Sequence, residues 1–327
     1  MPSIRRILVA VKDTSTKNHA AAMKGAQLAR ALGARLELFH AIDTPVYVYA
    51  LSPPDRAVKR QQERARAQHL RALERIATAI RRPGLKVSTT VEWDYPSYEA
   101  IIRRAQRIHA DLIVAERHPK RHVAPGLLQI ADWELLRLSP LPVLLVKSTR
   151  RYVRPAVLAA VDPYHLYAKP ARLDTEILRI GKTIAGGLRG ALHVMHAYVP
   201  ILADVPKGTV SSEDVTADIE RKALARARAV FERFVGSHSI PARRRHLVED
   251  RPMLAIPETA RRTRSAIVVM GAISRSGLKG AFIGNTAERV LDDLSCDLLV
   301  VKPRGFANRV ARGRRGPLIA PILPMIA

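Results

Sequence analysis

The chain of 327 residues repeats itself, and that repeat restricts its fold more than any other feature. Apolar, β-branched runs of the first half return in the same order in the second. Ile7–Val11, followed by Lys12, is answered by Val157–Val161, followed by Asp162. Leu36–Ala41 is answered by Leu192–Ala197, Asp111–Ala115 by Ala266–Met270, and Pro142–Lys147 by Asp297–Lys302. The offset stays at roughly 150–156 residues, which defines two copies of one domain. The copies occupy 1–150 and 151–305, and a basic, then apolar C-terminal tail follows at 306–327.

Each copy alternates strand-like runs with helical patterns, which predicts a parallel sheet flanked by helices. In copy one, strands are expected near 4–11, 35–42, 85–92, 111–115 and 142–147, and helices near 18–32, 55–82, 97–109 and 132–138. Gly33 and the Pro83-Gly84 pair supply the stops of the first two helices. In copy two, helices are expected near 171–188, 216–236, 253–263 and 285–294. The fold class is α/β, with two tandem doubly wound, Rossmann-like domains. A ligand then belongs at the carboxyl ends of the strands, where the strand order reverses.

The segment from Gly271 to Glu288 carries the clearest chemistry. It joins an apolar run to a helix start through a glycine-rich stretch. Glycines permit close backbone approach, and the N–H groups of a helix end hold an anion. A phosphorylated small molecule, above all a nucleotide, is the expected ligand.

The spacing of this segment resembles the nucleotide signature of universal stress proteins: Gly-x-x-Gly, nine residues, then Gly-Ser/Thr after the fourth strand. Here the pattern is Gly271-x-x-Ser274, nine residues, then Gly284-Asn285. Ala287–Leu291 and Cys296–Pro303 are also similar to that family. Leu51–Arg56, Asp132–Arg137 and Gly284–Glu288 most resemble its E type, found in proteobacteria. The resemblance spans both halves and makes the chain a tandem member, with the adenine nucleotide alpha hydrolase-like fold of that family. It implies an internal pseudo-dimer paired through the closing strands, open to further homodimerisation. It also implies a cytoplasmic role in stress tolerance, as a sensor or regulator. The ligand implied is ATP or a related nucleotide, with or without Mg2+, and hydrolysis is slow at most.

By the same resemblance, Asp162 would bond the nucleoside and Ala197 would offer backbone groups to the base. Gly271 and Gly284 would admit the phosphates, Ser274 would keep a turn and a donor, and Asn285 and Thr286 would donate hydrogen bonds. Asn285 with Glu288 also matches a helix capping box. Ser274 stands where the family has glycine, and Asn285 where it has a hydroxyl residue; both departures imply reduced affinity.

Copy one departs further. Glu116, Pro119, Gln129 and Ile130 stand where copy two has Gly271, Ser274, Gly284 and Asn285, and Lys12 replaces Asp162. Glu116 and Asp132 would flank a phosphate. At about 5–6 Å and an effective dielectric near 20, each opposes a phosphate charge by roughly 3 kcal/mol. Copy one is therefore expected to be structural or to hold a less charged ligand.

The remaining signals are broader. A net charge of +26 raises an alternative function: a basic scaffold for RNA, DNA or another polyanion, with a vestigial nucleotide site. Most arginines are dispersed along helical stretches, with few aromatics beside them for base stacking. Those from Arg304 to Arg315 cluster in a tail whose first part is expected to be mobile, which makes it the first candidate for a polyanion arm, while its apolar end is expected to dock on the body, to contact an anionic partner or to overhang. The single cysteine, Cys296, fits a reducing compartment. No leader is expected, since Lys12 and Asp13 interrupt Ile7–Val11, and no run approaches the length of a membrane helix. His118 and His122 are separated by Pro119 and flanked by Lys120 and Arg121, which argues against a metal site. His193 and His196 belong to opposite strand faces. His40 and His196 hold equivalent places near strand ends, which favours a role inherited with the repeat.

Overall fold

A computed structural model describes residues 4–16, 18–49, 56–117, 130–163, 172–199, 213–271 and 285–322; of 47–49, 57, 130–131, 213–216, 285–288 and 319–322 it describes the backbone alone. The chain divides into two units, Met1–Arg151 with Ala307–Ala327, and Tyr152–Phe306.

Unit 1 runs β1 (Arg6–Ala10), α1 (Ala20–Leu32), β2 (Arg35–Ile42), β3 (Val46–Tyr49), α2 (Arg56–Ile80), β4 (Val87–Trp93), α3 (Ser97–Arg107), β5 (Leu112–Glu116), α4 (Ile130–Leu138) and β6 (Val143–Val146). Its main sheet is parallel, in the order β4-β2-β1-β5-β6. The order reverses between β1 and β5. Ile7, Leu8 and Val9 of β1 are fully buried, because a central parallel strand is covered on both faces and so reads as an unbroken apolar run. α1 sits tightly on this strand: a Cβ added at Gly25 would lie 2.5 Å from Val9 Cγ2. The helix stops at Gly33, whose φ of 66° is left-handed, as expected for a glycine cap.

Unit 2 repeats the plan with β7 (Ala156–Ala160), α5 (Leu173–Gly187), β8 (Ala191–Tyr198), α6 (Glu213–Ser237), β9 (Arg245–Glu249), α7 (Pro252–Arg262), β10 (Ser265–Gly271), α8 (Asn285–Asp293) and β11 (Asp297–Val301). Its sheet is parallel in the order β9-β8-β7-β10-β11, with the reversal between β7 and β10. Among the described residues, no helix is long and apolar enough to cross a membrane.

The first part of the C-terminal tail, expected to be mobile, is instead held by side chains of unit 1, and its apolar end docks on that unit. Residues 307–327 belong to unit 1, where β12 (Ile319–Ile322) pairs in parallel with β3. Val46 N–H donates to Leu318 O at 2.7 Å. Upstream, Arg315 N–H donates to Asp94 Oδ1 at 2.9 Å, and its guanidinium meets Glu99 at 2.9 Å. Arg314 meets Glu92 at 3.1 Å, Asn308 donates to Gln106 at 3.1 Å, and Val310 is buried. The cause is a group of carboxylates at the end of β4 and the start of α3. Beneath the strap, Arg103 makes a bidentate pair with Asp94, at 2.8 Å for both contacts, and reaches Glu99 at 2.8 Å. Arg104 and Arg107 hold Glu92 from below. Arg304, in unit 2, pairs with Glu176 at 2.6 Å. Arg304, Arg314 and Arg315 are thus committed to carboxylates of the chain itself.

Candidate functional site

The site follows from where strands stop. In unit 2, β7 ends at Ala160; Val161 N–H still donates to Met195 O at 2.9 Å, and the chain then leaves the sheet at Asp162. On the far side of β8, Asp250 N–H donates to Tyr198 O at 3.0 Å. Peptide groups alternate sides along a strand. The peptide groups of Ala197, two residues from Met195, therefore face the β7 side, beyond the last rung of that ladder. Asp162 and Ala197 thus both lie at the carboxyl end of the sheet, next to the reversal between β7 and β10.

Asp162 is held from its backbone: its N–H donates to Asp174 Oδ1, 3.1 Å away, in the first turn of α5. Its side chain is left for other work. Among the described residues, Asp162 Oδ1 is buried without a hydrogen-bond partner. His196 Nδ1 lies 4.0 Å from it, but that nitrogen donates to Val161 O at 3.2 Å. A buried, unsatisfied carboxylate oxygen is costly and marks a place for a donor. A ribose hydroxyl or an exocyclic amine fits that need.

The equivalent histidines share one duty. His196 ties β8 to the end of β7 through Val161 O and stacks on Phe231 of α6, with centroids 6.1 Å apart. His40 binds Val11 O at 2.7 Å and stacks on His69 of α2 at 4.6 Å. Burial holds His40 below its ordinary pKa, which keeps the ring neutral. Both rings bond the end of the first strand and stack on a ring of the long helix. His193 points to the opposite face from His196 and stacks on His246. His118 and His122 lie outside the described residues.

Gly271 ends β10, and its neighbours give it a packing role. A Cβ added there would fall 2.6 Å from Leu173 Cδ2. Leu173 opens α5 and is fully buried. Unit 1 inverts these sizes: Glu116 ends β5, and α1 opens on Ala20. Asn285 and Thr286 open α8, while Ser274 and Gly284 lie outside the described residues.

In unit 1 an internal ion pair stands at the equivalent place. Lys12, in the place of Asp162, contacts Asp132 in the first turn of α4. Asp132 is therefore not the bare negative charge expected from the sequence. Its carboxylate lies in the first turn of α4, where the helix dipole favours negative charge, and Lys12 neutralises it. Pro119 and Gln129 lie outside the described residues.

Two tandem, parallel, doubly wound α/β domains, with polar groups gathered at the strand-order reversal, define a Rossmann-like architecture. The model of the Universal stress protein family matches residues 3–147 and 172–302, and the chain belongs to that family. Universal stress protein E of Salmonella typhi is 27% identical over 318 residues, covering 93% of this chain and 96% of its own length. A Haemophilus influenzae homologue of that protein is 27% identical over 268 residues, covering 78% of this chain and 84% of its own. Among solved structures, a functionally unknown protein of Pseudomonas aeruginosa PAO1 matches with a TM-score of 0.67 at 27% identity, covering 92% of this chain and 93% of that one. A universal stress protein of Archaeoglobus fulgidus shares the fold at 16% identity and a TM-score of 0.60, covering 92% and 97%.

Proposed function

We propose that this universal stress protein binds one molecule of ATP or a related nucleotide per chain, in unit 2, and acts in stress tolerance as a sensor or regulator in the cytoplasm. One observation carries the proposal: among the described residues, the buried Oδ1 of Asp162 has no hydrogen-bond partner, at the end of the sheet where the peptide groups of Ala197 face β7. The carboxylate would accept from the nucleoside, and Ala197 would read the base. Gly271, Ser274, Gly284, Asn285 and Thr286 would surround the phosphates, with or without Mg2+. Unit 1 would contribute no second nucleotide site, because Lys12 and Asp132 satisfy each other there. The units would form an internal pseudo-dimer, which requires that residues 152–306 alone dimerise or aggregate.

The test is calorimetric titration of the purified chain with ATP, ADP and AMP, with and without Mg2+, alongside mass spectrometry of any ligand carried through purification. One site per chain is expected. Gly284→Asp should abolish binding while leaving the far-UV circular dichroism unchanged. Two equal sites, or unchanged binding in that variant, would overturn the assignment.

A further inference from the structure

The long helices α2 and α6 occupy the same place in the two copies and have the same length, 25 residues each. Their charges differ. α2 carries seven basic residues against two acidic ones, and α6 carries five against five. Basic residues of α6 meet internal partners: Arg221 and Lys222 meet Asp218 at 2.6 and 2.7 Å. An overall bias toward arginine would charge both helices alike, so the excess on α2 has a more local cause.

Arg60, Arg64, Arg71 and Arg75 are spaced by four, seven and four residues. At about 100° per residue they fall within an arc of about 60°, along about 22 Å of helix axis. All four are exposed. Among the described residues none of them forms an ion pair or hydrogen bond. Glu74, the acidic residue nearest this row, is turned toward Arg81, at 3.2 Å, and Thr89. Within each i, i+4 pair the guanidinium groups repel one another, and an external anion relieves that repulsion. No aromatic side chain stands in the row to stack on an unpaired base.

We propose that this face of α2 docks the phosphate backbone of a nucleic-acid duplex. The row spans about six to seven base pairs at 3.4 Å each, and guanidinium groups directed at phosphates position a duplex without reading its sequence. The surface lies in unit 1 and does not involve the nucleotide site proposed for unit 2. It also moves the expected polyanion contact away from the C-terminal tail, where Arg304, Arg314 and Arg315 are already paired.

The experiment is fluorescence anisotropy of a labelled mixed-sequence DNA duplex of about 24 base pairs, titrated with the full chain over a series of NaCl concentrations. The parent should bind at low salt. Replacing Arg60, Arg64, Arg71 and Arg75 together by Gln should reduce the slope of log K against log salt by about 3 to 4, at about 0.9 for each phosphate that is no longer neutralised. Gln retains helix propensity close to that of Arg, and thermal melting verifies the fold. If that variant melts early, the pairs Arg60/Arg64 and Arg71/Arg75, replaced separately, should each remove about half of the slope. Replacing Arg221, Arg226, Arg228 and Arg233 of α6 by Gln should change the slope by less than about 1. No duplex binding by the parent, or an equal reduction from the two helices, overturns the proposal. So does binding to anionic phospholipid vesicles, abolished in the α2 variant, without binding to the duplex.

Discussion

Replacing Asp162 by Ala should separate ligand binding from stability. In the ligand-free chain, Asp162 Oδ1 is buried and lacks a hydrogen-bond partner among the described residues, while the backbone N–H keeps its bond to Asp174 in any variant. An unsatisfied buried polar group costs about 1–3 kcal/mol. The side chain retains 23% exposure, so the low end applies, about 1 kcal/mol. Removing it should raise the melting temperature of the ligand-free protein by about 2–4 °C for a unit of this size. A nucleoside donor bonded to the carboxylate contributes about 1.5–3 kcal/mol, so the same substitution should weaken nucleotide binding about tenfold to 150-fold. Differential scanning calorimetry without ligand and isothermal titration with nucleotide measure the two effects on one preparation. A variant that melts several degrees below the parent would show that the carboxylate supports the fold. Unchanged nucleotide affinity would remove Asp162 from the site.

Gly271→Ala should destabilise unit 2 by about 1–3 kcal/mol, as overpacking does, because its Cβ meets Leu173; in a double-mutant cycle with Leu173→Ala, denaturant unfolding should give a combined loss smaller than the sum. Arg103→Met should cost about 3–5 kcal/mol, since it strands the buried carboxylates of Asp94 and Glu99; a parent-like unfolding midpoint would show that these charges do not depend on Arg103. Burial, then the neighbouring His193 and Arg262, lowers the His246 pKa from 6.5 to about 4. Between those values the unfolded chain binds more protons than the folded one, so stability should fall as pH falls from 6.5 to 4. His246→Gln should flatten that part of the melting-temperature profile only partly, because burial also lowers His193, His40 and His19. Truncation after Pro303 should leave the salt dependence of duplex binding unchanged and lower the melting temperature of unit 1; a flatter salt slope would return the polyanion contact to the tail.

The tandem α/β plan was legible because central parallel strands are buried on both faces. Ile7–Val11 and Val157–Val161 advertise themselves as apolar runs, and their equal spacing exposes the repeat. The equivalence of His40 and His196 was readable too, although their bonds to Val11 O and Val161 O depend on strand register. Other features had weaker local signals. β3 is only four residues long, and β12 contains Pro321, which argues against a strand unless it lies at an edge. Gly271 carried a motif whose spacing points to phosphate, yet Leu173, its packing partner, is almost a hundred positions away and outside any motif. The first part of the tail reads as mobile because the partners of Arg314 and Arg315, namely Glu92, Asp94 and Glu99, stand more than two hundred positions earlier. Composition records charge, but only the fold decides which charges meet.

The pairing of β12 with β3 also sets an order of events during synthesis. Domains fold as units while the chain emerges, the N-terminal one first, at about 5–20 residues per second. All of unit 2 separates the body of unit 1 from its final strand. The ribosome therefore delivers β12 about 8–30 s after the rest of that unit. Throughout that interval, Asp94 and Glu99 lack Arg315, and β3 lacks its neighbour. A nascent chain stalled inside unit 2 would carry an almost complete first domain with an open acidic end. Completion of the first domain thus waits until the second has been translated.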